Sequence, residues 1–96
     1  MSPTRRQEIL ATLEGGELSF EDLRRLLELP VAVLEEDLRH LEHSLRGAGR
    51  RLRVVPARCP ACGFVLRRRP GRFATPSRCP RCAEERLEPP RLAVEG

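Results

Sequence analysis

Four cysteines stand in two pairs, and their spacing constrains the fold more than any other feature of this 96-residue chain. Two residues separate the members of each pair, and sixteen residues separate the pairs. Two cysteines this close can direct both sulfurs at one ion only if the chain between them turns tightly, and a proline after the first cysteine of each pair fixes φ for such a turn. The spacing therefore predicts two short knuckles around one tetrahedral metal ion, with the ligands Cys59, Cys62, Cys79 and Cys82.

The residue that follows each pair predicts how the chain leaves the knuckle. Gly63 follows the first pair and can adopt a positive φ at little steric cost. Ala83 follows the second pair and is less suited to that conformation. We therefore expect the second knuckle to be slightly strained or differently shaped.

The identity of the metal is argued from the spacing and from the expected compartment. A disulfide pair or a redox-active dithiol are the alternatives to a structural zinc ion, and the spacing is among those typical of zinc sites. Neither a signal peptide nor an apolar run of membrane-spanning length is recognisable, so we expect a cytoplasmic, reducing environment in which disulfides are rare. Zn²⁺ is the predicted cofactor. Iron stays open, because four thiolates accept either metal.

Charge is divided unequally along the chain, whose formal net charge is +4. Residues 1–45 carry five arginines and ten carboxylates, whereas residues 46–96 carry thirteen arginines and four glutamates. A polyanion should therefore meet the second half first. The candidate nucleic-acid-binding residues are Arg50, Arg51 and Arg53 before the first knuckle and Arg67, Arg68, Arg69 and Arg72 between the knuckles. The alternative is a solubilising charged surface.

Hydrophobic periodicity and capping residues predict three helices. Ser2-Pro3 or Thr4 can open the first, which Gly15-Gly16 ends, and Ser19 with Asp22 marks the start of the second. The third helix follows Pro30 and ends near residues 47–49. Its predicted buried stripe is Val31, Leu34, Leu38, Leu41 and Leu45.

Two alternating segments predict strands. Residues 51–55 and 91–95 each alternate as half-buried strands do, and we expect them to pair antiparallel. Three helices with a short turn between the second and third match a helix-turn-helix, and the strand pair would be its wing. The predicted class is α+β: a winged helix-turn-helix of residues 1–56 plus 88–96, with a zinc ribbon of residues 57–87 inserted in the wing.

The sequence also resembles a known group. The runs around both knuckles, 58–65 and 76–82, and the segment 87–92 are similar to those of archaeal and bacterial predicted transcriptional regulators. In that group a winged helix-turn-helix is fused to a rubredoxin-like zinc ribbon. The resemblance implies zinc on the four cysteines and a role in transcription.

The predicted function is binding of nucleic acid, with DNA favoured. The third helix carries Glu35, Glu36, Asp37 and Glu42 at positions expected to face outward, opposed by Arg39, and carboxylates repel phosphates. We therefore expect the arginines of the wing and ribbon to make the contact. Only three phenylalanines supply aromatic surface, so stacking of bases on an aromatic platform is not expected.

Other classes of function are weighed on the same residues. No catalytic constellation or phosphate-binding glycine loop is recognisable, so we expect neither an enzyme nor a small-molecule substrate, and no membrane partner. A protein-binding adaptor in a transcription or translation assembly is the first alternative. A rubredoxin-like electron carrier is the second, and iron in the site would favour it.

Overall fold

A computed structural model describes residues 4–96. None of the helices in this range is both long and apolar enough to cross a membrane. Three helices and five short strands make up a mixed α+β fold. In chain order they are α1 (Arg5–Glu14), β1 (Leu18–Ser19), α2 (Phe20–Leu27), α3 (Val31–Gly47), β2 (Arg51–Val55), β3 (Ala57–Arg58), β4 (Val65–Leu66) and β5 (Arg91–Glu95).

Helices α1 and α2 begin at side-chain caps that the sequence predicts. Thr4 accepts the Gln7 N–H at 3.2 Å, and the Gln7 side chain accepts the Thr4 N–H at 2.8 Å, so the capping box is confirmed. Ser19 accepts the Asp22 N–H at 3.0 Å. The alternative start at Ser2-Pro3 lies outside the described residues. These caps satisfy amides that would otherwise lack partners in the first turn.

Helix α3 is the longest element of the fold. It follows Pro30 and ends at Gly47, as predicted. Four leucines of the predicted stripe are buried, namely Leu34, Leu38, Leu41 and Leu45. The expectation of burial is wrong for Val31, which lies at the first position of the helix and is largely exposed.

The main sheet has the strand order β1-β5-β2 and is antiparallel throughout. Arg51 lies opposite Glu95 and Val55 opposite Arg91, so the predicted pairing of residues 51–55 with 91–95 is confirmed. Strand β1 was not predicted, because two residues are too few to show a period of two. It is fixed by its pairing with β5 and by the Phe20 N–H, which donates to the Pro90 carbonyl at 2.8 Å.

The buried apolar residues form two separate clusters. The larger joins the helices to β2 and β5, and the smaller lies around the cysteines with Ala57 and Leu66. Phe73 lies within residues 57–87, which the sequence assigns to the ribbon. Phe73 is fully buried in the larger cluster, so a residue between the two knuckles completes the helical core.

Candidate metal centre and arginine groove

The two cysteine pairs form two turns of matching backbone geometry. In the first knuckle the Gly63 N–H donates to the Cys59 carbonyl at 2.8 Å, and in the second the Ala83 N–H donates to the Cys79 carbonyl at 2.9 Å. Gly63 has φ 76° and Ala83 has φ 64°, both in the left-handed region. The two turns therefore share one shape, and the strain predicted for the second knuckle lies at Ala83, where a Cβ occupies a conformation that favours glycine.

The four sulfur atoms lie close enough to share one ion. All four are within 4.8 Å of one another, and the Sγ atoms of Cys59 and Cys82 are 3.4 Å apart, those of Cys62 and Cys79 3.7 Å. A tetrahedron with metal–sulfur bonds of about 2.3 Å has sulfur–sulfur edges of about 3.8 Å. No disulfide joins the four cysteines, since a bond would need about 2.05 Å. The donor set therefore fits a tetrahedral thiolate centre.

The pKa values of the thiols also favour a cation between the four sulfur atoms. Burial raises the pKa of Cys79, but amide hydrogen bonds from Cys82 and Arg81 outweigh it and hold this pKa at about 7. An amide hydrogen bond from Glu84 lowers the pKa of Cys82, yet the neighbouring sulfur atoms, led by that of Cys59, raise it to about 12. Four sulfurs this close cannot all ionise in one small volume without a cation among them.

The ribbon around this centre has only a small core of its own. Strand β3 pairs with β4, and Arg58 and Glu88 exchange backbone hydrogen bonds of 3.1 and 2.8 Å. The Arg81 guanidinium lies 5.6 Å from the ring centroid of Phe64 and so links the second knuckle to the first. A cluster this small gives little folding energy, so a bound ion would supply much of the stability of the ribbon.

Residues 68–75, between the two knuckles, lie against helices α2 and α3, and we call this segment the strap. The Glu35 carboxylate of α3 accepts the Phe73 N–H at 3.0 Å and the Ala74 N–H at 3.1 Å. Three further contacts flank this one: Arg39 to the Gly71 carbonyl at 3.3 Å, Arg68 to Glu42 at 2.8 Å and Thr75 to Glu21 at 2.8 Å.

The outward placement of most acidic residues on α3 is wrong. Glu35 is only 7% exposed because it binds the strap, and Asp37 is 1% exposed because Arg5 and Arg6 of α1 pair with it. Glu42 is half-buried against Arg68. Of the four carboxylates only Glu36 is exposed.

The remaining outward face of α3 is close to neutral. It carries the exposed side chains of Glu36, Arg39, His40 and His43. One carboxylate and one guanidinium offset each other there, and the two imidazoles add positive charge only when protonated. The repulsion of phosphates that the sequence suggested for this helix is therefore mostly absent.

The arginines predicted for the wing are already paired with carboxylates. Arg50 lies 3.8 Å from Glu14, and Arg51 lies 3.5 Å from Glu95. Arg53 lies 2.7 Å from Glu95 and 3.9 Å from Glu17. Exposed pairs of this kind are weak, so they reduce the positive potential around β2 more than they stabilise the fold.

The arginines predicted between the knuckles divide into two pairs. Arg68 and Arg72 form ion pairs with α3, to Glu42 at 2.8 Å and Glu35 at 3.4 Å. Arg67 and Arg69 are exposed, and within residues 4–96 neither has a carboxylate within ion-pair distance. The first pair fixes the strap, and the second pair is open to a ligand.

Three clefts adjoin one another through shared lining residues, the first two of them beside α3, and together we call them the arginine groove. The first, of about 480 Å³, shares Glu42 and Arg46 with the second, of about 360 Å³, and the second shares Arg68 with the third, of about 210 Å³. Glu42 and Glu95 are the two carboxylates among the lining residues. The groove arginines are Arg46, Arg50, Arg51, Arg67, Arg68, Arg69 and Arg72.

One arginine of the groove was not among the predicted residues, and one predicted arginine lies outside the groove. Arg46 lines two of the clefts, whereas Arg53 lines none of the three. A signal for Arg46 does exist in the sequence. Glu35, Arg39, Glu42 and Arg46 recur at steps of four, three and four, which places acid and base alternately along one flank of a helix.

The fold and the four-cysteine site together define the class as a small α+β protein with a zinc ribbon. The sequence model of the PF0610 rubredoxin-like zinc beta-ribbon domain matches residues 56–96. The solution NMR structure of protein PF0610 from Pyrococcus furiosus is similar over the whole chain. Identity is 35%, the match covers 100% of this chain and 92% of that one, and the TM-score is 0.80. The chain belongs to the PF0610 family.

The comparisons support the ribbon assignment more directly than any function. No curated protein sequence matches the chain. The family match concerns the ribbon, and the structural match concerns the fold of the whole chain. The function is therefore argued from the site itself.

Proposed function

We propose that this protein is a small nucleic-acid-binding regulator of transcription, with DNA as the favoured ligand, that binds phosphates in the arginine groove. The observation that carries this proposal is the composition of the groove. Seven arginines and two glutamates line it, so the formal charge of its side chains is +5. Both glutamates are themselves paired with arginines, Glu42 with Arg68 and Glu95 with Arg51. Guanidinium groups bind phosphate oxygens through two parallel hydrogen bonds, which suits this ligand.

Three groove arginines are the best candidates for direct contact. Arg46, Arg67 and Arg69 are exposed, and among the described residues none of them has a carboxylate within ion-pair distance. A ligand could engage them without breaking an existing pair. Arg68 and Arg72 would mainly hold the groove in shape, because their guanidinium groups already contact α3.

The architecture supports a winged helix-turn-helix interpretation. Helix α2 ends at Leu27 and α3 begins at Val31, and the antiparallel pair of β2 and β5 follows in the position of a wing. In this interpretation residues 1–56 and 88–96 form the DNA-binding unit and residues 57–87 the ribbon. The near-neutral outward face of α3 would tolerate a duplex, with phosphate contacts beside it in the groove.

The metal has a structural part in this proposal. Cys59, Cys62, Cys79 and Cys82 would bind Zn²⁺, which holds together a ribbon whose apolar core is small. The role is binding rather than catalysis. Metal analysis of natively purified protein separates zinc from iron, and reversible iron redox chemistry would favour an electron carrier instead.

A salt-titrated binding assay tests the proposal. Metal-loaded protein is titrated against duplex DNA, single-stranded DNA and RNA at several salt concentrations. We expect affinity for duplex DNA that falls steeply with salt, because bound arginines displace counterions from phosphates. Tightest binding to RNA would redirect the proposal to RNA, and no binding to any of the three at low salt would refute it.

A protein-binding adaptor is the second candidate, and one observation favours it. Leu26, near the end of α2, is 63% exposed, and Val31, which opens α3, is exposed as well. A contiguous exposed apolar patch marks a protein contact, and in the adaptor role Leu26 and Val31 would contribute to such a patch. Leu26→Ser should leave nucleic-acid affinity unchanged if the groove is the binding site, and should abolish partner binding if the adaptor role is correct.

A further inference from the structure

We propose that docking of the strap on α3 and binding of the metal are coupled, and that Glu35 is a positioning residue for the metal centre although it is not a ligand. The strap lies between the two knuckles in the chain, and the coupling is inferred from this position. Gly63 ends the first knuckle, Cys79 begins the second, and the strap occupies residues 68–75 between them.

The strap is anchored at points near both of its ends. Arg68 donates to Glu42, and its guanidinium also lies 4.6 Å from the ring centroid of Phe73. Thr75 donates to Glu21. Anchoring both ends limits how far apart the knuckles can move. A docked strap therefore holds the two knuckles near each other, so the chain loses less conformational entropy when the four sulfurs bind the ion.

Glu35 is the centre of this anchoring. Its carboxylate is buried, and its contacts are all with the strap: the N–H groups of Phe73 and Ala74, and the Arg72 guanidinium at 3.4 Å. Undocking would exchange these hydrogen bonds for bonds to water and would withdraw the fully buried Phe73 ring from the helical core. Exposing that ring is unfavourable, so the strap docks as one unit with the helices.

Coupling between the two events is reciprocal. If docking raises the affinity for metal, then metal binding must favour docking by the same factor. A bound ion therefore secures the ribbon and also the strap, which carries Arg68, Arg69 and Arg72 to the arginine groove. This coupling involves the metal and the helices alone, so it can be measured without nucleic acid.

The first test measures Zn²⁺ affinity by competition with a chelator. Glu35→Gln keeps the shape of the side chain and removes its charge. We expect binding about 5–50-fold weaker than in the wild type, within the usual range of coupling between sites. Glu36→Gln is the matched control, because Glu36 neighbours Glu35 on α3 but is exposed. Ile9→Val, in the helical core, controls for a general loss of stability.

The outcomes of this test are distinct. Weaker Zn²⁺ binding in Glu35→Gln, with both controls unchanged, supports the coupling. Equal affinity in Glu35→Gln and the wild type overturns it. An equal loss in Ile9→Val and Glu35→Gln also overturns it, because a general destabilisation would then explain the effect.

A second test uses the wild-type chain and covers the case in which Glu35→Gln fails to fold. Amide hydrogen exchange is measured with Zn²⁺ bound and after its removal. We expect the Phe73 and Ala74 amides, which donate to Glu35, to exchange about 5–50-fold faster without metal. Unchanged exchange at both amides, alongside lost protection at Cys59 and Cys79, would show that the strap docks independently of the ion and would overturn the proposal.

Discussion

Arg68 and Glu42 form a short ion pair, with Nη2 and Oε2 2.8 Å apart and side-chain exposures of 26% and 20%. The same guanidinium lies over the ring of Phe73. This arginine therefore connects the strap to α3 and is only partly open to solvent. Its neighbour Arg69 is exposed and has no such pair among the described residues. Adjacent arginines in one basic run thus have different roles.

Replacing Arg68 should lower stability, whereas replacing Arg69 should not. Arg68→Gln removes an ion pair and a cation–π contact, together about 1 kcal/mol, which lowers Tm by about 4–8 °C in a chain of this size. Arg69→Gln is a surface change and should stay within about 0.5 kcal/mol of the wild type. Thermal unfolding of metal-loaded protein measures the Tm of both variants. Equal Tm values would contradict the different roles of Arg68 and Arg69.

Phe73 should behave as a residue of the helical core. Phe73→Ala removes a fully buried ring from the larger cluster and should destabilise the helices by about 3–5 kcal/mol. Phe64→Ala is the matched control, since Phe64 is half-buried beside the smaller cluster. Denaturant unfolding monitored by helical circular dichroism measures both. A larger loss for Phe64→Ala than for Phe73→Ala would contradict the assignment.

The strain at Ala83 predicts opposite effects for two exchanges of alanine and glycine. Ala83→Gly removes a Cβ that is strained at positive φ, which stabilises the folded knuckle by about 1–2 kcal/mol. The greater conformational freedom of glycine in the unfolded chain offsets about 0.4–1 kcal/mol of this gain. We expect Zn²⁺ affinity to rise by about two- to fivefold. Gly63→Ala introduces the same strain into the first knuckle, where a new Cβ would meet no atom closer than 4.0 Å. Its affinity should fall, and a rise would show that φ is not the controlling factor.

Protonation of Glu35 should release the strap at low pH. Burial raises the pKa of Glu35, but the Phe73 and Ala74 amides and Arg72 outweigh it, so the folded pKa lies below the ordinary value. Ionised Glu35 therefore stabilises the fold fully above its unfolded pKa of about 4.3, and this contribution is lost as the pH falls through the folded pKa. NMR titration of the Phe73 and Ala74 amides should give a midpoint below about 4.3. A midpoint above that value would contradict the interpretation.

Much of the fold can be predicted because its signals are local. The spacing from Cys59 to Cys62 and from Cys79 to Cys82 indicates the knuckles, since only nearby residues decide whether such turns form. Thr4 and Ser19 are recognisable caps for the same reason. The pairing of residues 51–55 with residues 91–95 can be predicted because each segment shows the alternating pattern of a strand within its own sequence.

The docking of the strap could not be predicted from those signals. Glu35 and Phe73 are 38 residues apart, and no local pattern connects a helical carboxylate to a backbone amide in a distant loop. A glutamate is also expected at the protein surface, because buried carboxylates are rare without partners. Asp37 shows the same difficulty, since its burial depends on Arg5 and Arg6 of another helix.

The salt dependence of duplex-DNA binding by metal-loaded single-arginine variants tests the central claim most directly. The plot of log affinity against log salt should lose about 0.9 of its slope for each phosphate contact removed. We expect that loss, with weaker binding, in Arg46→Gln, Arg67→Gln and Arg69→Gln. The control is Arg25→Gln, an exposed change of equal charge on α2 that should bind as the wild type does. Wild-type slopes in all three groove variants, or an equal loss in Arg25→Gln, would contradict a nucleic-acid site in the arginine groove.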